Sequence, residues 1–274
     1  MKTWRRLGMG LATVLGLGRW GFFIPYRYAG HLPRERPPYD DSAFVAARSG
    51  FIGHIAAMEK FAADLERIGA DAPPQPRWGQ DWFPRLDGAA AYAMVRTREP
   101  SAIVEVGSGH STRFMARAVR DGGLQTRITA IDPAPRATIG GLGIDVIEST
   151  VQEAGDAPFS RLVPGDVLSM DSSHVLMPGS DVDFLLNRVL PSLDPGVLIH
   201  IHDVFLPDDY PPEWAWRGYN EQLAVVPLIG GGAYRVLWSS HYVATRMARA
   251  LEGTVLCRLE IPEGAFESSL WLCR

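Results

Sequence analysis

The stretch Ile103-Val104-Glu105-Val106-Gly107-Ser108-Gly109-His110-Ser111-Thr112 constrains the fold more than any other in this 274-residue chain. An apolar run of strand length meets two glycines, and a helical pattern opens near Ser111. Gly107 and Gly109 let backbone approach a ligand where a side chain would collide. The next apolar run, 128–131, is followed by Asp132, whose carboxylate can accept hydrogen bonds from both ribose hydroxyls of an adenosine ligand.

Further short apolar runs at 145–147, 166–170 and 197–202 alternate with helical patterns at 112–119 and 182–190. This alternation predicts an α/β fold, a doubly wound, Rossmann-like, mostly parallel sheet covered on both faces. Upstream, Phe51, Ile55, Met58, Ala62, Leu65 and Ile68 recur at helical spacing, which predicts one amphipathic helix over 43–68. Pro73, Pro74, Pro76 and Pro84 mark an irregular connector, and a second helix is expected over 86–98. Three parts are therefore expected: a basic, aromatic-rich arm (1–36), a helical extension with a Pro-rich connector (37–100), and a ligand-binding Rossmann-like domain (101–274).

Two nucleotide readings compete for the glycine turn. A dinucleotide fingerprint G-x-G-x-x-G needs glycine where Thr112 stands, which disfavours a nicotinamide oxidoreductase. An acidic residue ahead of the glycines, Glu105-x-Gly107-x-Gly109, resembles motif I of class I S-adenosylmethionine-dependent methyltransferases, with Ser111 in place of that family's third glycine. The run Asp166 to His174, the run Gly196 to Asp203, Phe205-Leu-Pro207 with Tyr210-Pro211, and Tyr219-Asn220-Glu221-Gln222 are similar to a bacterial branch of that superfamily. The branch is mostly of unassigned substrate and resembles small-molecule O-methyltransferases. The resemblance implies S-adenosylmethionine as cofactor, with Glu105, Gly107, Ser108, Gly109, Ser111, Asp132 and Asp171 as its contacts. The implied reaction is methylation of an oxygen on a small-molecule or glycan acceptor. A non-catalytic S-adenosylmethionine-binding scaffold, recruited to membranes by the arm, is the alternative of a different class.

Parallel strands present chemistry at their carboxyl ends, so Asp171 and the pair His202-Asp203 are expected on one edge with the Gly107 loop. Two uses are open. By the same resemblance, Asp171, His202 and Asp203 would hold a divalent metal, and an imidazole ligand shifts preference from Mg toward Mn, Fe, Zn or Co. Without a metal, His174 or His202 would remove the acceptor proton with Asp203 as orienter. His200 shares a sheet face with His202 and reads as a hydrogen-bonded core histidine. Asp181 is expected to cap the helix that follows it. The Pro-, Trp- and Tyr-rich segment 205–219 is a candidate acceptor wall, and Trp78, Trp82 and Phe83 are candidates for the opposite side.

Charge is divided unevenly. Residues 1–36 carry +6 and the remainder −10, within a formal total of −4. The main body has no broad positive field, so no nucleic-acid partner is expected. The apolar run 7–18 is too short to span a bilayer. Arg5-Arg6 ahead of it hints at a twin-arginine signal, but no small-x-small cleavage site follows. Peripheral contact with anionic lipid through residues 1–36, or packing of the arm on the protein, are the expectations. Two cysteines near the C-terminus form neither a disulfide framework nor a zinc set, which fits a cytoplasmic protein able to reach the inner membrane face.

Overall fold

The computed structural model describes residues 2–33, 36–135 and 137–274; Met1, Arg34, Glu35 and Arg136 lie outside the described residues, so part of the arm's expected charge does too. Two compact units are present, Met1–Pro37 and Pro38–Arg274. The first contains helix α1 (Lys2–Val14), and its Trp4, Leu7, Leu11 and Val14 are exposed.

In the second unit, α2 (Ser42–Lys60) and α3 (Ala62–Arg67) precede α4 (Arg85–Arg98). The single helix expected over 43–68 is broken at Phe61, whose φ of −102° and ψ of 17° depart from helical values. The register of buried residues continues through the break, with Phe51, Ile55, Met58 and Leu65 all in the core. Helix α4 is buried from Leu86 through Val95, on every face. Its alanines permit close approach: a Cβ on Gly88 would meet Phe114 at 2.8 Å and Trp78 at 2.9 Å.

Then come β1 (Ala102–Val106), α5 (His110–Gly122), β2 (Arg127–Ile131), β3 (Asp145–Ile147), α6 (Val151–Ala154) and β4 (Val167–Met170). Helix α7 (Asp181–Phe184) runs through a π-helical turn, Leu185–Val189, into α8 (Leu190–Ser192). The chain continues through β5 (Leu198–Ile201), α9 (Gln222–Gly230), β6 (Arg235–Ser239), α10 (Ser240–Arg246) and β7 (Leu270–Cys273). Ser180, not Asp181, caps α7, its hydroxyl accepting from the Asp183 N–H at 3.1 Å.

The described strands form a seven-stranded sheet in the order β3-β2-β1-β4-β5-β7-β6. Strands β1 to β5 are parallel, and β7 inserts antiparallel between β5 and β6. Strand order reverses beside β1, so the carboxyl ends of β1, β2, β4 and β5 open on one crevice, the usual ligand position in such sheets. Strands β1, β4 and β5 are buried almost throughout, as expected of central parallel strands covered by helices on both faces.

The end of the chain is tied to the start of α4. Glu267 accepts from Arg85 Nε and Nη2 at 2.9 Å each, a forked pair, and from the Leu86 N–H at 2.8 Å. It thereby satisfies an otherwise orphan donor in the first turn of α4. Asp87, fully buried, accepts from the Ser268 and Ser269 N–H groups.

Candidate functional site

The glycine turn after β1 is built around two different needs. Gly107 has φ +81°, and a Cβ there would stand 1.8 Å from the carbonyl oxygen of Asp171. The ends of β1 and β4 can meet only over a residue without a side chain. Gly109 is extended, with φ 175°, and a Cβ on it would meet nothing within 4 Å. Its missing side chain leaves open the space over the loop, where a ligand would lie. Behind the loop, Glu105 is buried and accepts from the hydroxyls of Ser111 and Thr112 at 2.5 Å each, while Thr112 Oγ1 accepts from the Gly109 N–H at 2.8 Å. Thr112 therefore bridges strand and turn, a task glycine could not perform.

A cleft of about 960 Å³ lies over these strand ends. Of the residues expected at the cofactor, Gly107, Ser108, Gly109, Asp132 and Asp171 line it. Glu105 and Ser111 stand behind it and hold the loop in shape. Asp132 Oδ2 accepts from Ser108 N and Oγ at 2.9 and 2.8 Å, and Oδ1 accepts from Ala134 N at 2.8 Å. A carboxylate has about four lone-pair sites, two on each oxygen, so the site left for a ribose hydroxyl is on Oδ1.

At the other end of the cleft, Asp171, His174, His202 and Asp203 converge. His174 Nε2 lies 3.3 Å from Asp171 Oδ1 and 3.4 Å from Asp203 Oδ2. His202 Nδ1 lies 3.4 Å from Asp171 Oδ1 and 3.5 Å from Asp203 Oδ1. The outer nitrogen of each ring has its own carboxylate: Glu221 Oε2 at 2.9 Å from His174 Nδ1, and Asp87 Oδ2 at 3.3 Å from His202 Nε2. His174 and Asp203 both adopt the left-handed backbone region, with φ of 59° and 56°. Such strain persists only where the surroundings enforce it. Here Asn220 binds Leu176 N and O, Asp181 holds Ser173 N and Oγ, and Gln222 clamps the backbone of Phe205 and Asp208.

Burial alone would push both imidazoles down. The carboxylates outweigh it: Asp171, Glu221 and Asp203 raise His174 well above its ordinary value, and Asp203, Asp171 and Asp87 do the same for His202. Conversely, burial would raise Asp171, but His202 and His174 hold it well below the carboxylate range. His200 is different. Its ring nitrogens meet Ser169 and Ser269 Oγ at 2.9 Å, and burial, with His202 adding, pushes it down to about 3. It is a neutral core histidine.

Asp87 and Glu221 are site residues that sequence reasoning did not single out for a role. The Tyr219-to-Gln222 run was noticed, and an acid beside an otherwise apolar helix start was the available signal for Glu221. Of the expected walls, Trp214 and Tyr219 line the cleft on one side and Trp82 and Phe83 on the other. Trp78 does not; it is buried, with Nε1 donating to the Leu65 carbonyl. Among the described residues, no group of three or more His, Cys, Asp or Glu side chains is pre-arranged to hold a metal ion.

Two predictions follow from the loop. Gly107→Ala should destabilise the fold by about 3 kcal/mol or more, whereas Gly109→Ala should stay within about 1 kcal/mol of the parent and fail instead in ligand binding. Paired denaturant titrations and ligand calorimetry separate these outcomes. The second concerns pH. Burial pushes the Glu105 carboxyl up to about 8, against the pull of Ser111 and Thr112 and with help from Asp171 and Asp132. The unfolded carboxyl ionises near 4.5, so stability contributed below that pH is lost progressively as pH rises to about 8. Glu105→Gln should therefore gain on the parent between about pH 5 and pH 8.5 in stability measurements; parallel curves across that range would show that Glu105 is not held neutral.

Residues 104–204 match the profile of a family described as a methyltransferase domain. No curated protein matches the sequence significantly. Among solved structures, the SAH-bound methyltransferase PaMTH1 of Podospora anserina is similar at 15% identity and TM-score 0.39, over 92% of this chain and 98% of that one. An O-methyltransferase of Bacillus cereus in complex with SAH is similar at 16% identity and TM-score 0.33, over 55% of this chain and 66% of that one, just under two thirds of its length. The O-methyltransferase TomG of Streptomyces achromogenes, involved in tomaymycin synthesis and solved with SAM, is similar at 17% identity and TM-score 0.35, over 71% and 78%. The segment that resembles a methyltransferase domain runs from β1 through β5 of the Rossmann-like sheet, whose order is β3-β2-β1-β4-β5-β7-β6.

Proposed function

We propose that the protein transfers the methyl group of S-adenosylmethionine to an oxygen of a small-molecule or glycan-type acceptor. The observation that carries this reading is the single cleft shared by the Gly107 loop with Asp132 and the Asp171–His174–His202–Asp203 cluster. The donor's ribose would take the remaining lone pair of Asp132 Oδ1, and its cationic sulfonium would face a cleft edged by carboxylates. The acceptor oxygen attacks the methyl carbon in line, the sulfonium becomes a neutral thioether, and the acceptor's proton passes to the cluster. Because His202 and His174 hold Asp171 well below the carboxylate range, the proton is shared across the Asp–His cluster and not held by that carboxylate alone.

A second reading places a divalent cation on Asp171, His202 and Asp203. It is favoured by the N···O separations of 3.3 to 3.5 Å, longer than the 2.7 to 2.9 Å of charge-assisted hydrogen bonds, and by Asp87 on the outer nitrogen of His202. The cation would supply a lowered hydroxyl pKa at the acceptor, and its entry requires displacing the imidazole proton.

Calorimetry with S-adenosylhomocysteine tests the donor assignment. Binding is expected, and Asp132→Ala should weaken it by about ten- to a hundredfold; absence of binding in the parent chain sinks the reading. Elemental analysis of protein purified without a metal-affinity tag, with methyl transfer measured in chelator, separates the two uses of the cluster. Stoichiometric metal and chelator-sensitive transfer support the cation; metal-free protein with resistant transfer supports the acid–imidazole cluster.

The arm has a separate role in this proposal. No helix among the described residues is long and apolar enough to cross a membrane. Trp4, Leu7, Leu11, Trp20, Phe22 and Phe23 are exposed on a segment whose charge is +6, a combination suited to the interface of an anionic bilayer. The full chain should co-sediment with vesicles containing phosphatidylserine at low salt, dissociate as salt rises, and lose this binding when residues 1–36 are deleted. Retention by neutral vesicles alone, or none at all, would assign the arm another partner.

A further inference from the structure

Beyond the reaction itself, the cleft carries a cation that the proposed chemistry does not use. Arg217 lines it at the end of a short 3₁₀ turn, Pro212–Arg217. Its guanidinium carbon lies 4.0 Å from the ring centre of Trp214 and 5.3 Å from that of Tyr219, and Nη1 donates to the Tyr219 hydroxyl at 3.0 Å. Its Nε is buried and has no hydrogen-bond partner. Among the described residues no carboxylate forms an ion pair with Arg217, whereas Nε of Arg85, Arg113 and Arg117 each finds an oxygen, on Glu267, the Thr138 carbonyl and Asp121.

A buried N–H left without an acceptor is costly, which favours a small turn of the guanidinium that brings Nε onto an acceptor held in the cleft. The side of the guanidinium opposite Nη1 is the Nε–Nη2 edge, the fork that matches a carboxylate with two parallel hydrogen bonds. Its position relative to the reaction is fixed by Tyr219, whose ring also lies 4.6 Å from that of His174. The guanidinium and His174 thus both pack on the Tyr219 ring, at 5.3 and 4.6 Å from its centre, in a cleft also lined by Trp214, Phe266 and Phe83.

Resting on the methyltransferase reading above, we propose that the acceptor is a planar hydroxy acid: its hydroxyl meets Asp171 and Asp203, and a carboxylate one ring away is held by Arg217. Arg217 is in this view a specificity-determining residue. A neutral acceptor of the same shape would leave the guanidinium fork unpaired and pay for its desolvation without return.

The test uses the full chain saturated with S-adenosylhomocysteine and three probes, 4-hydroxybenzoate, 4-hydroxybenzyl alcohol and phenyl phosphate, titrated by calorimetry. The acid is expected to bind at least about tenfold more tightly than the alcohol. Arg217→Gln should abolish that preference by weakening the acid and sparing the alcohol the cost of desolvating the guanidinium, and Arg217→Lys, which keeps the charge and loses the fork, should retain only part of it. Should Arg217→Gln fail to fold, the lysine variant carries the comparison. Equal affinity for acid and alcohol, binding of neither, stronger binding of the phosphate ester, or a preference that survives in Arg217→Gln overturns the inference. If S-adenosylhomocysteine binds while the acid is not preferred, only this inference falls; if it does not bind, the methyltransferase reading falls first.

Discussion

A carboxylate sealed from water holds this molecule's parts in register. Asp87 lies in the first turn of α4, yet its partners are the N–H groups of Ser268 and Ser269 near the C-terminus and Nε2 of His202 beyond β5. Removing a charge of this kind from water costs several kcal/mol unless hydrogen bonds replace the lost hydration, and here they do. Against the upward push of burial, His202, with the Ser240 hydroxyl and the Ser269 amide, holds the Asp87 carboxyl below its ordinary range. The segment that inserts β7 into the sheet, the helix that covers it and the imidazole that faces the cleft are fixed by one group. Just beside it, the Arg85–Glu267 fork closes the same junction.

That junction explains what was and was not legible in the sequence. The parallel half of the sheet was readable, because buried central strands are short apolar runs and their carboxyl ends carry Asp132, Asp171 and His202-Asp203. Strands β6 and β7 were not: Arg235–Ser239 and Leu270–Cys273 pair antiparallel across a long separation, and their register comes from Asp87 and Glu267, contacts with no local signature. The role of Asp87 was invisible for the same reason, since an aspartate in a first helical turn is adequately explained by the helix dipole. The break at Phe61 leaves the apolar spacing intact, so periodicity alone could not reveal it.

Within the site, residue types were easier to anticipate than their duties. Glu105 and Asp132 both sit where an adenosine ligand expects acids, but one faces the cleft and the other is sealed behind the loop by Ser111 and Thr112. Sequence shows the spacing of two carboxylates from a glycine turn, not which of them is turned inward. Likewise His174 and His202 were visible as imidazoles near strand ends. Their shared dependence on four carboxylates, two of them Asp87 and Glu221, required the fold.

The contact of Gly107 with the Asp171 carbonyl has a wider meaning for how such a protein can change. At this point the ends of β1 and β4 meet backbone to backbone, with no side chain of residue 107 to compress or rotate. The distance from the Gly107 loop to the Asp171 strand end is thereby a property of the sheet and not of any adjustable residue. Change in what the cleft admits therefore falls on its walls, the proline-rich connector and the segment from Phe205 to Tyr219, while the floor between the strand ends stays fixed.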